Sequence, residues 1–297
     1  MENHQKGIGY AVLTAVMWAV LAIGLKVAVE RVDAVTIVWL RFTIAFACLL
    51  GYQLYYRPAS LRQLIRPPMA LILAAVFLAG NYLGFMLGVE YTGPSNAQVI
   101  IQLGPVMLAL SGFVFFRERV SRLQLAGFIL AAVGMIIFYE HQLSLVTGDE
   151  RQFSFGVVLT VSGALAWTVY AVFQKKLVLQ FRATTLNIFI FGLASVLYLP
   201  FVRFSSLTNL SWGFWLLLLF LGLNTLISYG ALNLALRYTD TSKVSIILIL
   251  NPVLTVALMT FLTRAEVSWI AGEHFNWLSM LGALIILAGA FLVVRRK

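Results

Sequence analysis

Ten apolar blocks constrain this chain more than any other feature. They run over roughly 7–28, 34–54, 68–90, 94–115, 121–140, 154–177, 184–202, 211–236, 242–263 and 276–294. Each is about 20 residues, enough to cross a hydrocarbon core of roughly 30 Å as an α-helix. Backbone in lipid must satisfy its own N–H and C=O groups, which leaves helices and closed barrels as the spanning structures. The alternation expected of barrel strands is absent. The whole chain is 61% hydrophobic and 11% charged, where soluble domains hold about 45–50% and about 25%. The blocks therefore predict an all-α integral membrane protein of ten transmembrane helices, with connections too short for a soluble domain. The first block starts near Lys6 like a signal peptide, but it is longer than an h-region, lacks a small-residue cleavage site and recurs mid-chain, so it is read as a retained helix. A single cysteine, Cys48, inside the second block, excludes an intrachain disulfide.

The formal net charge of +10 would suggest nucleic acid in a soluble protein, but its distribution points elsewhere. With the N-terminus inside and ten helices threaded, the inner segments carry Lys6; Arg57, Arg62 and Arg66; Arg117, Arg119 and Arg122; Lys175, Lys176 and Arg182; Arg237 and Lys243; and Arg295, Arg296 and Lys297. Those are fifteen of the 21 cations. The outer loops hold Arg31, Arg151, Arg203 and Arg264. This positive-inside bias places both termini in the cytoplasm of a multi-pass membrane protein and argues against a nucleic-acid partner.

One passage occurs twice. "YTGPSNAQVIIQLGPVML" begins at Tyr91 and "YTDTSKVSIILILNPVLT" at Tyr238. The match extends over five helices. Gly7, Trp18 and Lys26 correspond to Gly156, Trp167 and Lys175 at an offset of 149; Tyr82, Tyr91 and Pro105 to Tyr229, Tyr238 and Pro252 at 147; Gly127 and Gly134 to Gly282 and Gly289 at 155. Five is odd, so the two copies must enter the membrane from opposite sides. The expected organisation is a 5+5 inverted repeat around a central cavity, as in many secondary transporters. Residues 1–140 form the first repeat, 141–153 an outer connecting loop and 154–297 the second.

Motif order carries a family resemblance over nearly the whole chain. The first copy has Trp18, "LRF" at 40–42, "VEYTGPSNA" leading to Pro105, "FRERV" with Glu118, and "LQLAGFILAAVGMIIF". The second has Trp167, "LRYTDTSKVSIILILNP" and "LSMLGALIILAGAFLV". In these the chain resembles the drug/metabolite transporter superfamily, in its ten-helix branch of two EamA-type modules. It departs after the ninth helix, where Ala265 aligns with Glu118, Glu266 follows one place later and the next loop is longer. The resemblance implies secondary, non-ATP transport of small metabolites, often amino acids or related compounds and often outward, across a bacterial inner membrane.

Candidate site residues are polar and aromatic side chains at membrane depth. Ser95, Gln98 and Gln102 share one face of the fourth helix, with Gln102 about 12 Å into the span; Asn96 points elsewhere. That stripe either ties helices together or forms a cavity wall offering donors and acceptors to a solute. Trp18 and Trp167 lie mid-helix and could stack on a substrate or fill the core. Tyr170 shares a face with Trp167. Asn81 and Tyr82 in the third helix face the same alternatives as Asn224 and Tyr229 in the eighth, and Asn251 precedes Pro252. Pro105 and Pro252 each free a backbone carbonyl. Arg41, about seven residues into the second helix, either attracts a substrate anion or pairs with Glu30, Asp33 or Glu90. Lys26 is expected to snorkel to the outer surface. The smooth Gly/Ala-rich fifth and tenth helices either buttress the cavity or meet another subunit in a homodimer.

The remaining signals are negative. None of the eleven acids falls near the midplane, so a buried acid relay for proton coupling is not evident. There is no metal-ligand cluster, cofactor motif or GxxxxGK[ST] loop, and no reactive constellation for an enzyme. A channel or a lipid-handling, scramblase-like protein is the alternative to a carrier of small-molecule substrates.

Overall fold

A computed structural model describes residues 2–58, 61, 64–104, 106–107, 121–143, 149–178, 180–238, 244, 247–248, 251–272 and 277–294. Pro105, Glu118, Arg62, Arg117, Arg119, Lys243, part of the connecting loop and the basic C-terminus lie outside them. The described helices are α1 (Glu2–Val29), α2 (Ala34–Tyr56), α3 (Met69–Thr92), α4 (Pro94–Ile100), α5 (Arg122–Leu143), α6 (Glu150–Leu177), α7 (Ala183–Tyr198), α8 (Trp212–Tyr238), α9 (Asn251–Arg264) and α10 (Trp277–Val294). Two short 3₁₀ turns, Leu199–Phe201 and Phe204–Leu207, follow α7. Six of the helices contain apolar stretches long enough to span a membrane: Gln5–Val29, Ala34–Tyr56, Met69–Thr92, Glu150–Gln174, Ala183–Phe201 and Trp212–Ala235. The protein is an all-helical, multi-pass membrane protein.

Helix ends follow local chemistry. Asp33 caps α2 by accepting from the Thr36 N–H at 3.0 Å, and Asp149 caps α6 by accepting from the Arg151 N–H at 2.8 Å. Between α3 and α4 the chain needs φ of +86° at Gly93, which only glycine adopts without strain. Pro94 then opens α4, where its missing N–H costs nothing.

Packing is set by small residues. The most extensive contacts are α5 along α10 and α3 along α6, followed by α1 along α8. At α3–α6, Gly84 lies so close that a Cβ there would meet the Leu159 carbonyl at 2.6 Å. At α5–α10, Cβ atoms on Gly134, Gly282 and Gly289 would meet backbone of the facing helix at 2.7 Å, 2.7 Å and 2.5 Å. The fifth and tenth helices thus pack on each other. Their outer faces carry exposed Leu125, Ile129, Ile136 and Leu284, as lipid contact requires. The α2 helix rests on α7 and α8, while α3 also touches α7. This brings Phe42 against Phe191, centroids 5.9 Å apart.

Candidate functional site

Side chains from both halves of the chain converge on one cavity of about 90 Å³. Its walls are Trp18 and Leu21 of α1, Arg41 of α2, Asn81, Tyr82 and Phe85 of α3, and Gln98 of α4. Ile101 and Gln102 follow from the turn after α4; Trp167 of α6, Tyr229 of α8, Leu248, and Asn251 of α9 complete it. Nine of the residues singled out from the sequence line this space, while Ser95 of the Gln98 stripe is buried outside it. Tyr170 does not: it is buried behind Tyr229, ring centroids 6.2 Å apart. Asn224 does not either. Its Nδ2 donates to the Met17 carbonyl at 2.7 Å, tying α8 to α1.

The aromatic walls occupy matched positions of the two repeats. Tyr82 and Tyr229 lie 5.8 Å apart at a tilt of 42°. Trp18 packs 5.7 Å from Tyr229. Trp167 reaches the cavity because Gly104 has no side chain; a Cβ there would stand 3.1 Å from the indole. Each tryptophan is half-buried and free to offer an apolar face. Behind Tyr82, Phe42 packs against the phenol ring at 4.3 Å with a tilt of 32°.

The amides divide into spent and unspent groups. Gln98 is spent: Nε2 donates to the Trp18 carbonyl at 2.9 Å, and Oε1 accepts from Asn251 Nδ2 at 3.2 Å. Asn81 Nδ2 donates to the Gly163 carbonyl at 3.0 Å. Asn96, which does not line the cavity, is half spent: Nδ2 donates to the Thr92 carbonyl within its own local backbone, and Oδ1 has no donor. Gln102 is different. It sits where α4 gives way to a tighter turn: its N–H bonds the Val99 carbonyl and the Gly104 N–H bonds the Ile101 carbonyl. Gln102 Nε2 makes a long 3.4 Å contact to the Gln98 carbonyl, and its Oε1 has no donor. The Oδ1 of Asn251 is likewise without one. A buried carbonyl-type oxygen left unpaired costs about 1–3 kcal/mol, so both oxygens favour a visiting donor.

Three successive carbonyls of α1 accept from side chains of three other helices. Met17 takes Asn224, Trp18 takes Gln98, and Ala19 takes the Thr255 hydroxyl at 3.3 Å. A carbonyl has a second lone pair after its helical bond, so the helix stays intact while its backbone at Trp18 is clamped. The Thr168 hydroxyl similarly reaches the Gly104 carbonyl at 3.2 Å. Thr255 and Thr168 escaped the reading of the sequence because single threonines in apolar helices usually bond their own preceding turn.

Arg41 is 3% exposed and lines the cavity. It pairs with none of the three acids expected of it. Its Nε donates to Thr225 Oγ1 at 3.1 Å, and the guanidinium carbon lies 4.4 Å from the Tyr82 ring centroid. The groups facing its charge are the phenols of Tyr82 and Tyr229. The Tyr82 hydroxyl lies among Arg41, Thr225 and Tyr229 without forming a well-aligned hydrogen bond. A desolvated cation–π contact returns about 2 kcal/mol, less than the several kcal/mol that burying an ion costs. Thr225 was missed, although it stands four residues before Tyr229 on the same helix face. Lys26, nearer the end of α1, donates to the Glu90 carbonyl at 3.3 Å.

Comparison with known proteins agrees over the full length. The model of the EamA-like transporter family matches residues 5–139 and again 154–295. An uncharacterized transporter of Haemophilus influenzae is 30% identical over 96% of this chain and 94% of its own. The uncharacterized inner membrane transporter YhbE of Escherichia coli K12 is 30% identical over 97% of this chain and 91% of its own. A protein solved by crystallography shares the fold, with a TM-score of 0.67 at 16% identity, over 97% of this chain and 96% of that one.

Proposed function

The chain belongs to the EamA-like transporter family, and on that footing we propose a secondary carrier that exports small organic metabolites, amino acids or related aromatic compounds. It works by alternating access of its two halves, without ATP. The observation that carries this reading is the cavity at the seam between the halves, walled by the repeat-matched pairs Trp18/Trp167 and Tyr82/Tyr229. Support for an inverted repeat comes from the helix pairings. Exchanging the first five helices for the last five turns α1–α8 into α6–α3, while α5–α10 and α2–α7 map onto themselves. A cavity on such a seam opens to one side or the other as the halves rock. The charge distribution supports cytoplasmic termini.

The experiment is counterflow in proteoliposomes with a panel of labelled amino acids and aromatic metabolites. A carrier gives saturable flux that unlabelled solute on the far side accelerates. Non-saturating flux without this acceleration would identify a channel, and lipid scrambling without solute flux a lipid-handling protein.

A further inference from the structure

The transport reading leaves the cargo's chemistry open, and the cavity narrows it. Among the described lining residues Arg41 is the single formal charge, and there is no acid. The repeat makes this cation conspicuous. At the offset of 149 that aligns Thr36 with Thr185 and Phe42 with Phe191, Arg41 falls on Ile190, fully buried in α7. The aromatic walls are duplicated; the charge is not. Nor is it consumed by the fold, since its neighbours are a hydroxyl and a ring rather than a carboxylate. Two residues of the same cavity wall, Gln102 and Asn251, each hold a buried amide oxygen, Oε1 and Oδ1, that no donor reaches. An unneutralised guanidinium, two waiting acceptors and flat aromatic walls form one complementary set.

We propose that this cavity takes a small organic carboxylate: Arg41 holds the carboxylate, the amide oxygens of Gln102 and Asn251 accept from an ammonium or hydroxyl on the same molecule, and its apolar body lies between the tryptophans. The proposal rests on the carrier reading, whose cargo it specifies. A guanidinium offers paired N–H groups that match a carboxylate. A cationic or neutral solute leaves the charge of Arg41 unanswered. Solutes lacking a carboxylate are therefore poor ligands, whatever their ring.

The test uses purified full-length protein and matched probes: indole-3-propionate and L-tryptophan as acids, tryptophan amide and tryptamine as their carboxylate-free counterparts. Binding is read by calorimetry and by the rise in thermal unfolding temperature. Wild type should bind the acids about ten- to a hundredfold more tightly than the amide and amine, the range a charge-assisted hydrogen bond commands. Arg41→Gln should abolish that preference, and Arg41→Lys should restore part of it. Gln102→Leu should weaken L-tryptophan more than indole-3-propionate, because only the former carries the ammonium. Equal binding of acid and amide by wild type, stabilisation by none of the acids, or an Arg41→Gln protein that keeps the preference would each overturn the assignment. The wild-type comparison stands even if Arg41→Gln fails to fold. Failure of the carrier reading looks different: no probe or panel solute gives saturable flux in proteoliposomes.

Discussion

Replacing Gly289 by alanine adds one methyl group to one of the two most extensively packed helix pairs among the described residues. A Cβ at Gly289 would stand 2.5 Å from the Ala131 nitrogen, 2.7 Å from the Gly127 carbonyl and 2.9 Å from the Ala131 Cα. Ordinary contact begins at 3.4 Å, so α5 and α10 must part locally by as much as 0.9 Å, the difference between 3.4 and 2.5 Å. The obstructing atoms are backbone and cannot rotate away. Overpacking of this kind costs about 1–3 kcal/mol. Parting the helices also weakens neighbouring contacts, since a gap of about 0.5–1 Å forfeits a quarter to a half of each dispersion well. Against this, alanine gains about 0.5–1 kcal/mol of helix preference over glycine. The expected net loss is about 2 kcal/mol. Gly51 in α2 is the control, because a Cβ there meets nothing within 4 Å, so Gly51→Ala keeps only the gain. Thermal unfolding of both variants in one detergent is the assay: the midpoint should fall for Gly289→Ala and hold or rise for Gly51→Ala. Equal midpoints would refute close α5–α10 packing as a source of stability.

The other predictions concern the site, the topology and the energy source. Gln98→Ala removes two bonds that cross between helices, each worth about 0.6 kcal/mol in membranes, so it should lower the unfolding midpoint measurably. Gln102→Ala and Trp167→Ala should instead leave the midpoint near wild type and weaken substrate affinity several-fold to tens-fold in binding assays. In a Cys48→Ala background, a cysteine at Arg66 should react with an impermeant maleimide only from the cytoplasm, and one at Asp149 only from outside; labelling from a single side would sink the inverted topology. An imposed pH step across proteoliposomes should not drive uphill accumulation; accumulation would point to Glu90 or Glu118.

How much of this could be read beforehand depends on what kind of signal each feature leaves. Helix count and the repeat were legible because lipid enforces long apolar blocks and because Trp, Tyr, Gly and Pro recurred in order. The cavity residues were legible as polar or aromatic side chains where hydrocarbon would exclude them, and nine of those named line one space. Their individual roles were not legible. Whether Gln98 is spent depends on the Trp18 carbonyl, 80 residues away, and sequence spacing within one helix carries no information about that. The partner of Arg41 was sought among acids because charge suggests charge, whereas the fold supplies Thr225 and a ring. Tyr170 and Asn224 face protein because helix rotation is set by packing against neighbours, which the repeat does not encode.

The glycine contacts between α5 and α10 follow a reciprocal rule. Gly134 meets Gly282, and Gly289 meets Gly127, so each glycine touches the counterpart of the other. That is the signature of a self-complementary interface, the kind two identical subunits share. Each half therefore carries a glycine face of the kind that a second copy of the same half could also meet. What distinguishes the proper partner lies elsewhere. Two first halves would set Arg41 against Leu78, the counterpart of Thr225, and bury a guanidinium on hydrocarbon. Two second halves would leave Thr225 facing Ile190. Adhesion and identity are thus assigned to different surfaces. On this reasoning, co-expressed fragments severed between 143 and 149 would still hold, in the Arg41–Thr225 bond, a contact that only the proper pair can make.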